Sequence, residues 1–403
     1  MPQQQLNRRS FLRVAAATAA APCLIPARAL GLDGGTAANS RITMGTIGTG
    51  GQGTGDMRGF MGFDQVQMLA VCDPVPEHRE RAKTIVDQRY ENTDCAAYND
   101  FRAVLARPDI DAVLIGTPDH WHAIITIEAC KQGKDVYCEK PESLTVREGR
   151  AMVSAARRYG RVVSGGSQRV LGDYGDWPRL IRGGAVGEVQ EVFVSCGGPS
   201  GDCYLPPEPV PPGLDWEMWL GPAPWRPYHP DLVRGGFRPY RDYSGGGMTD
   251  WGAHRFGAAM FAVDVHRTGP VEIIPPAGDD VPYLTFRFAG GLRMYHGGTN
   301  DITYKGTGGE LPGRHESPVG YVPVEAYRGR GGIFGDFLHC VRTRDLPFRD
   351  IEIAHRAVTV CHLGNLAYWL RRSVRWDPDK EEIVGDPEAA RWLGRPRREP
   401  WSL

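Results

Sequence analysis

The chain has 403 residues, with 47 lysines and arginines against 48 aspartates and glutamates, for a formal charge of −1. That balance lacks the basic bias of a nucleic-acid binder, and after residue 30 no apolar run approaches the ~20 residues needed to cross a membrane. The nine cysteines are scattered through apolar segments, which excludes a dense disulfide framework and leaves Cys196 and Cys203, flanking a turn-rich segment, as the one pair placed to bridge.

The first 29 residues read as a twin-arginine signal peptide. Asn7-Arg8-Arg9-Ser10-Phe11-Leu12 is followed by an alanine-rich stretch over 14–24 and by Ala27-Arg28-Ala29, an Ala-x-Ala cleavage site. The expectation is a soluble mature chain exported folded by the twin-arginine machinery to the periplasm or the medium. A nucleotide cofactor acquired before export would then have to be held tightly.

From residue 42 the pattern alternates. Residues 42–47 read as a buried strand running into a glycine turn, with a weak helix start near 54–60; 66–72 is a second strand ending at Asp73, and 77–89 a charged helix. Further strands are expected at 110–115, 135–138 and 162–164, and helices at 120–131 and 146–159. This βαβ succession predicts a mostly parallel sheet with helices on both faces. Beyond about residue 165, strand-like alternation at 189–195, 283–288 and 292–295 is separated by long Gly/Pro/Trp loops, and helical spacing returns after 333. That composition fits an α+β domain, followed after Trp376 by a wrapped tail.

Gly48-Thr49-Gly50-Gly51-Gln52-Gly53 has a strand before it and an acidic residue, Asp73, ending the next strand 25 positions after Gly48. Gly48 permits the tight turn, Gly50 and Gly51 let backbone approach a pyrophosphate with Gln52 beside them, and Gly53 lets the following helix begin close to the sheet. Asp73 is placed to accept from ribose hydroxyls and to repel a 2′-phosphate, which favours NAD over NADP, although Arg79 and Arg81 keep the second dinucleotide open. Thr117 and Pro118, in Gly116-Thr117-Pro118-Asp119-His120-Trp121-His122, lie at a strand's carboxyl end, where a nicotinamide ribose would pass. His122 is either a cofactor contact or a structural histidine at the helix start.

Glu139-Lys140-Pro141 ends the next strand on the same edge. Lys140 suits an acid/base group beside an alcohol undergoing oxidation, and Glu139 either holds the ribose or pairs with the lysine. If the chain is helical from Met248, Asp250 and His254 stand at i and i+4, where a carboxylate can orient an imidazole or both can grip vicinal hydroxyls. No third ligand at short spacing marks a metal site. Trp225 and Tyr228, in an aromatic and proline-rich loop with Trp216 and Trp219, are candidates for stacking on a sugar ring or for a subunit interface.

These motifs, in this order and spacing, resemble the Gfo/Idh/MocA oxidoreductases, the glucose-fructose oxidoreductase and inositol dehydrogenase group, over essentially the whole mature length. The resemblance implies a Rossmann domain (40–165), a substrate-binding and oligomerisation α+β domain with a large, mostly antiparallel open sheet (166–375) and a C-terminal tail (376–403). It implies sugar or polyol substrates, a homo-oligomer, Lys140 as the acid/base lysine, and Asp250 with His254 at the substrate. The leader, together with the run at 213–222, looks like an exported branch that includes NAD-dependent glycosidases acting through transient C3 oxidation and elimination. Those glycosidases often carry two histidines where this chain has His254-Arg255. A protein that binds NAD and sugar without turnover is the non-enzymatic alternative.

Overall fold

A computed structural model describes residues 36–312 and 322–403, so the leader over 1–29 lies outside the described residues. Residues from Ile42 onward form one compact unit. Its first half alternates β1 (Ile42–Ile47), α1 (Gly51–Met61), β2 (Val66–Cys72), α2 (Pro76–Tyr90), β3 (Ala96–Tyr98), α3 (Phe101–Leu105), β4 (Ala112–Ile115), α4 (Asp119–Lys131), β5 (Asp135–Cys138), α5 (Val146–Arg158) and β6 (Val163–Gly165). The strands form a parallel sheet in the order β3-β2-β1-β4-β5-β6. β4 and β5 are buried at every position because helices cover both faces, which is why they read as continuous apolar runs. Strand order reverses between β1 and β4, and a ligand crevice is expected at the carboxyl ends on either side of that point.

The chain continues through α6 (Arg169–Gly172), α7 (Asp176–Arg182), β7 (Val189–Val194), α8 (Trp216–Leu220), α9 (Gly247–Asp250), α10 (Gly252–Ala262), β8 (Glu272–Ile274), β9 (Leu284–Arg287), β10 (Arg293–His296), β11 (Ile302–Gly306) and β12 (Gly309–Leu311). It closes with α11 (Gly332–Thr343), α12 (Ile351–Leu370), β13 (Val374–Asp377), β14 (Glu382–Ile383) and α13 (Pro387–Arg391). The second sheet runs β12-β11-β7-β10-β9-β8-β13-β14, antiparallel except where β10 pairs with β7. One face packs on α10 and α12 through Met248, Phe256, Phe286, Met294 and Leu363. The architecture is therefore a Rossmann domain joined to an α/β domain with a mostly antiparallel sheet.

Two segments cross back against chain order. α11 lays Ile333, Phe337, Leu338 and Cys340 into the core beneath α1, with Phe337 edge-on to Phe60 and Tyr137. The stretch read as a tail supplies β14 and α13, then returns to the first half, where Trp401 packs edge-on against Trp121 at 4.7 Å. Among the described residues no helix is long and apolar enough to cross a membrane. Cys196 and Cys203 are free thiols and do not bridge.

Candidate active site

Three glycine backbones interlock at the switch point. Gly48 has φ +85°, a Cβ on Gly53 would lie 2.0 Å from the Gly48 carbonyl oxygen, and one on Gly116 would lie 2.7 Å from the Gly53 Cα. Gly50 and Gly51 instead face open space, with no atom within 4 Å of where a methyl on either would stand. α1 begins here without a side-chain cap, so its first N–H groups point at the opening with the positive end of the helix dipole behind them. Asp73 closes the turn: its carboxylate accepts from the Thr49 N–H at 2.8 Å and from the Val75 N–H at 2.9 Å. Arg79 donates to the Asp73 carbonyl at 2.7 Å and Arg81 to the Thr49 carbonyl at 2.9 Å, so both guanidiniums are engaged by backbone.

This loop forms one end of a cavity of about 340 Å³. Gly48, Gly50, Gly51, Gln52, Asp73, Thr117, Pro118, Glu139 and Lys140 all line it, which brings most of the sequence-derived cofactor candidates together. The opposite wall comes from Trp219 and from the segment holding Leu232, Gly235, Phe237 and Arg238. The donor set fits a dinucleotide: open glycine backbone at a helix N-terminus, a carboxylate ending β2, and a buried Thr117 hydroxyl with no protein partner.

Lys140 reaches across to the second half of the chain. Its Nζ donates to Asp250 Oδ1 at 2.6 Å, and Arg238 Nε donates to the same oxygen at 3.2 Å. Burial pushes the Asp250 carboxyl up, but the charges of Lys140 and Arg238 outweigh it and hold the group below the ordinary carboxylate value. Asp250 is thus a fixed anion that orients the lysine.

The Lys140 ammonium is taken by Asp250 and not by the neighbouring Glu139. Burial drives Glu139 well above the carboxylate range, with the charge of Asp56 as second cause, and burial raises Asp56 to about 6. The two carboxyls retain a proton between them at the cleft floor.

The segment expected to be helical from Met248 is distorted at one residue but keeps helical backbone: α9 ends at Asp250, Trp251 stands between in the right-handed helical region at φ −89° and ψ −29°, and α10 begins at Gly252, so Asp250 and His254 stand at i and i+4. Among the described residues no hydrogen bond joins Asp250 to His254, because Asp250 is turned to Lys140 and Arg238. His254 is buried, its Nδ1 has no protein partner, and burial, then the nearby charge of Lys140, pushes it down to about 3. It is a neutral imidazole near the lysine. The adjacent Arg255 turns away, donating to the Ser195 carbonyl at 2.6 Å and pairing with Asp301 at 3.0 Å.

Asp250 and His254 do not themselves line the cavity, and three further candidates sit elsewhere. His122 is buried under the cleft wall, with ring nitrogens 2.8 Å from the carbonyl oxygens of Pro141 and Thr117. Burial pushes it down to about 4, and the ring is wedged between the two loops beneath the cleft. Trp225 is 62% exposed on the outside of its loop, and Tyr228 is buried edge-on against Trp216, so neither aromatic lines the cleft. Sequence reasoning missed Arg238, which carries no local signal, and Asp119. Asp119 lines the cavity one residue past Pro118; burial pushes it up to about 7, against a hydrogen bond from Ser244 and with the charge of Asp250 adding to the rise.

Comparison with known proteins agrees with this geometry. Residues 42–167 match the model for the oxidoreductase family, NAD-binding Rossmann fold, and residues 198–403 match the model for the oxidoreductase family, C-terminal alpha/beta domain. The chain belongs to the Gfo/Idh/MocA oxidoreductase family. Among curated relatives, a glycosyl hydrolase family 109 protein of Shewanella baltica is 36% identical over 120 residues, 29% of this chain and 26% of the relative. The chain therefore matches about a quarter of that relative's length. Solved structures that share the fold include the following two. Aldose-aldose oxidoreductase from Caulobacter crescentus, complexed with glycerol, is 20% identical with a TM-score of 0.59 over 83% of this chain and 99% of that one. Levoglucosan dehydrogenase, in complex with NADH and levoglucosan, is 17% identical with a TM-score of 0.56 over the same shares.

Proposed function

We propose that the protein is an NAD-dependent oxidoreductase acting on a hydroxyl or keto group of a sugar, polyol or glycoside. The observation that carries the reading is Lys140, held at 2.6 Å by Asp250 inside the same cavity as the glycine turn and Asp73. Gly50, Gly51 and the N-terminus of α1 would hold the pyrophosphate, Asp73 the adenosine ribose, and Thr117 and Glu139 the nicotinamide side. NAD, when bound, supplies the hydride acceptor or donor. Lys140 is the group placed to exchange the hydroxyl proton, with Asp250 accepting its hydrogen bond. Neutral His254 and the cation Arg238 orient hydroxyls. NAD is preferred to NADP because Asp73 presents a carboxylate where a 2′-phosphate would lie, and Arg79 and Arg81 are engaged with backbone.

The family 109 relative supports a second reading, an NAD-dependent glycosidase. The same base would then also remove the C2 proton after oxidation at C3, so that the C1 substituent is eliminated, water adds at C1 and the hydride stored at the first step returns to C3, without paired carboxylates. One experiment separates the readings: purified protein is mixed with polyols, free sugars and aryl glycosides while the reduced-nicotinamide absorbance and released aglycone are followed together. Lasting reduced cofactor with a free sugar or polyol is expected. Aglycone release without net reduction would replace the oxidoreductase reading by the glycosidase cycle.

We also infer export and self-association. Arg8-Arg9 and the Ala-x-Ala site support passage by the twin-arginine route to the periplasm or medium. Cell fractionation of a reporter carrying residues 1–29 tests it, with export expected to stop when both arginines become lysine. The outer face of the second sheet supports a homo-oligomer, since Phe193 and Tyr295 stack there at 4.8 Å and remain partly exposed. A sedimentation experiment giving only monomer would remove that inference.

A further inference from the structure

Behind the loop that walls the cleft lies a second cavity of about 280 Å³. α4 separates the two: Asp119 and Trp121 face the first cavity, while His120 between them lines the second. Its other walls are the start of α5, the turn after α8, and residues 391–397 of the returning C-terminal segment.

The charges around this cavity are unbalanced. Arg241, Arg391, Arg395 and Arg397 line it, against Glu148 and Asp242. Three of the guanidiniums have protein partners: Arg241 pairs with Asp202 and lies over the Trp392 ring, Arg395 lies over the Trp369 ring at 5.7 Å within the field of Glu148 and Asp242, and Arg397 Nη2 donates to Glu148 Oε1 at 3.3 Å. Glu148 is further occupied by the Leu144 N–H at 3.1 Å. Arg395 Nη1 and Arg397 Nε are buried without a hydrogen-bond partner, and so is Nδ1 of His120, a residue only 2% exposed. An unpaired guanidinium N–H withdrawn from water costs several kcal/mol unless an acceptor reaches it, and burial holds Arg395 below the ordinary arginine value. The remaining wall is apolar, formed by Leu144, Pro222, Ala223 and Trp392.

We propose that this cavity is a second ligand site, separate from the cofactor cleft, that takes a small organic oxyanion on a compact apolar body. Arg395 and Arg397, on the cavity wall, supply the positive charge for the oxyanion, and Trp392 with the Pro222–Ala223 turn covers the body. A carboxylate and a phosphate ester share the required chemistry. Inorganic phosphate meets the charge requirement but leaves the apolar wall uncovered.

The test is calorimetric titration of the full chain, with its cleft saturated by NAD, using benzoate, phenyl phosphate, inorganic phosphate and benzyl alcohol as probes. Saturable binding of one aryl anion per chain is expected, at least about ten-fold tighter than inorganic phosphate, with no binding of the alcohol; the stronger of benzoate and phenyl phosphate identifies the oxyanion. Arg395→Gln should weaken the aryl anion by about ten-fold or more while NAD affinity stays unchanged. Arg391→Gln, at an exposed rim position, tests the charge without touching the core and should weaken it by about three-fold. Absence of saturable binding by any of the anions, or variants that bind them as the parent does, would overturn the site.

Discussion

Asp119 and Lys140 face the same cleft with opposite demands on protons. The Asp119 carboxyl rises from 3.8 to about 7, chiefly by burial, so between those values the folded chain holds a proton that the unfolded chain has lost. Stability then falls as pH rises through that window, by at most ~4 kcal/mol for this one group. Asp119→Asn removes the dependence. Its stability relative to the parent should improve between pH about 5 and about 8, read from denaturant titrations at both values; an identical difference at the two would refute the burial argument. For Lys140→Met the expected loss is in turnover, about 10²–10⁴-fold, the usual contribution of one acid/base group. NAD affinity should change little, because the glycine turn and Asp73 are untouched. A variant that kept full turnover would remove Lys140 from the acid/base role, and a parent that binds NAD and sugar but shows no turnover would favour the non-catalytic binding protein.

At the scale of the elements, the turn into α1 separates two kinds of glycine. Gly53→Ala forces a methyl to 2.0 Å from the Gly48 carbonyl and should cost about 1–3 kcal/mol of stability. Gly50→Ala meets nothing within 4 Å and should fold as the parent does, yet bind NAD about ten-fold more weakly because its methyl stands where the pyrophosphate approaches. Thermal unfolding and a fluorescence titration of NAD on both variants check the contrast. This turn was legible in the sequence because each of its causes is local: a strand, a glycine spacing, and an acidic residue ending the next strand. The same holds for β1, β2 and β5, whose bounds follow from their apolar runs. Asp250 and His254 show where local reasoning stops, since helical spacing places them one turn apart, but the Lys140 and Arg238 charges claim Asp250 and leave the imidazole without it. Arg238 and Asp119 reach the cleft through tertiary approach alone. Trp225 and Tyr228 belong to an aromatic loop whose packing direction no periodicity encodes. Short strands such as β3, β8 and β12–β14 offered too few residues for alternation to register.

For the whole molecule, the question is whether the Rossmann half is a unit of stability or only a unit of sequence. Phe60 of α1 and Tyr137 of β5 meet on one face of its sheet, and the residues covering them come from α11, nearly two hundred residues beyond β5. Ion pairs cross in the same sense: Arg344 holds the buried Asp135 at 2.6 Å and Arg150 pairs with Glu352 at 2.6 Å. Phe337 is fully buried, so Phe337→Ala should cost about 3–5 kcal/mol although it lies in the second half of the chain. If α11 is part of the first core, that loss destabilises both halves together. Calorimetry should then show one unfolding transition in the parent and one, at lower temperature, in the variant. Two resolved transitions, with only one shifted, would mean that the halves melt independently. The same argument predicts that residues 42–165 expressed alone expose an apolar face and associate, whereas a self-sufficient Rossmann unit would remain monomeric with a sharp thermal transition.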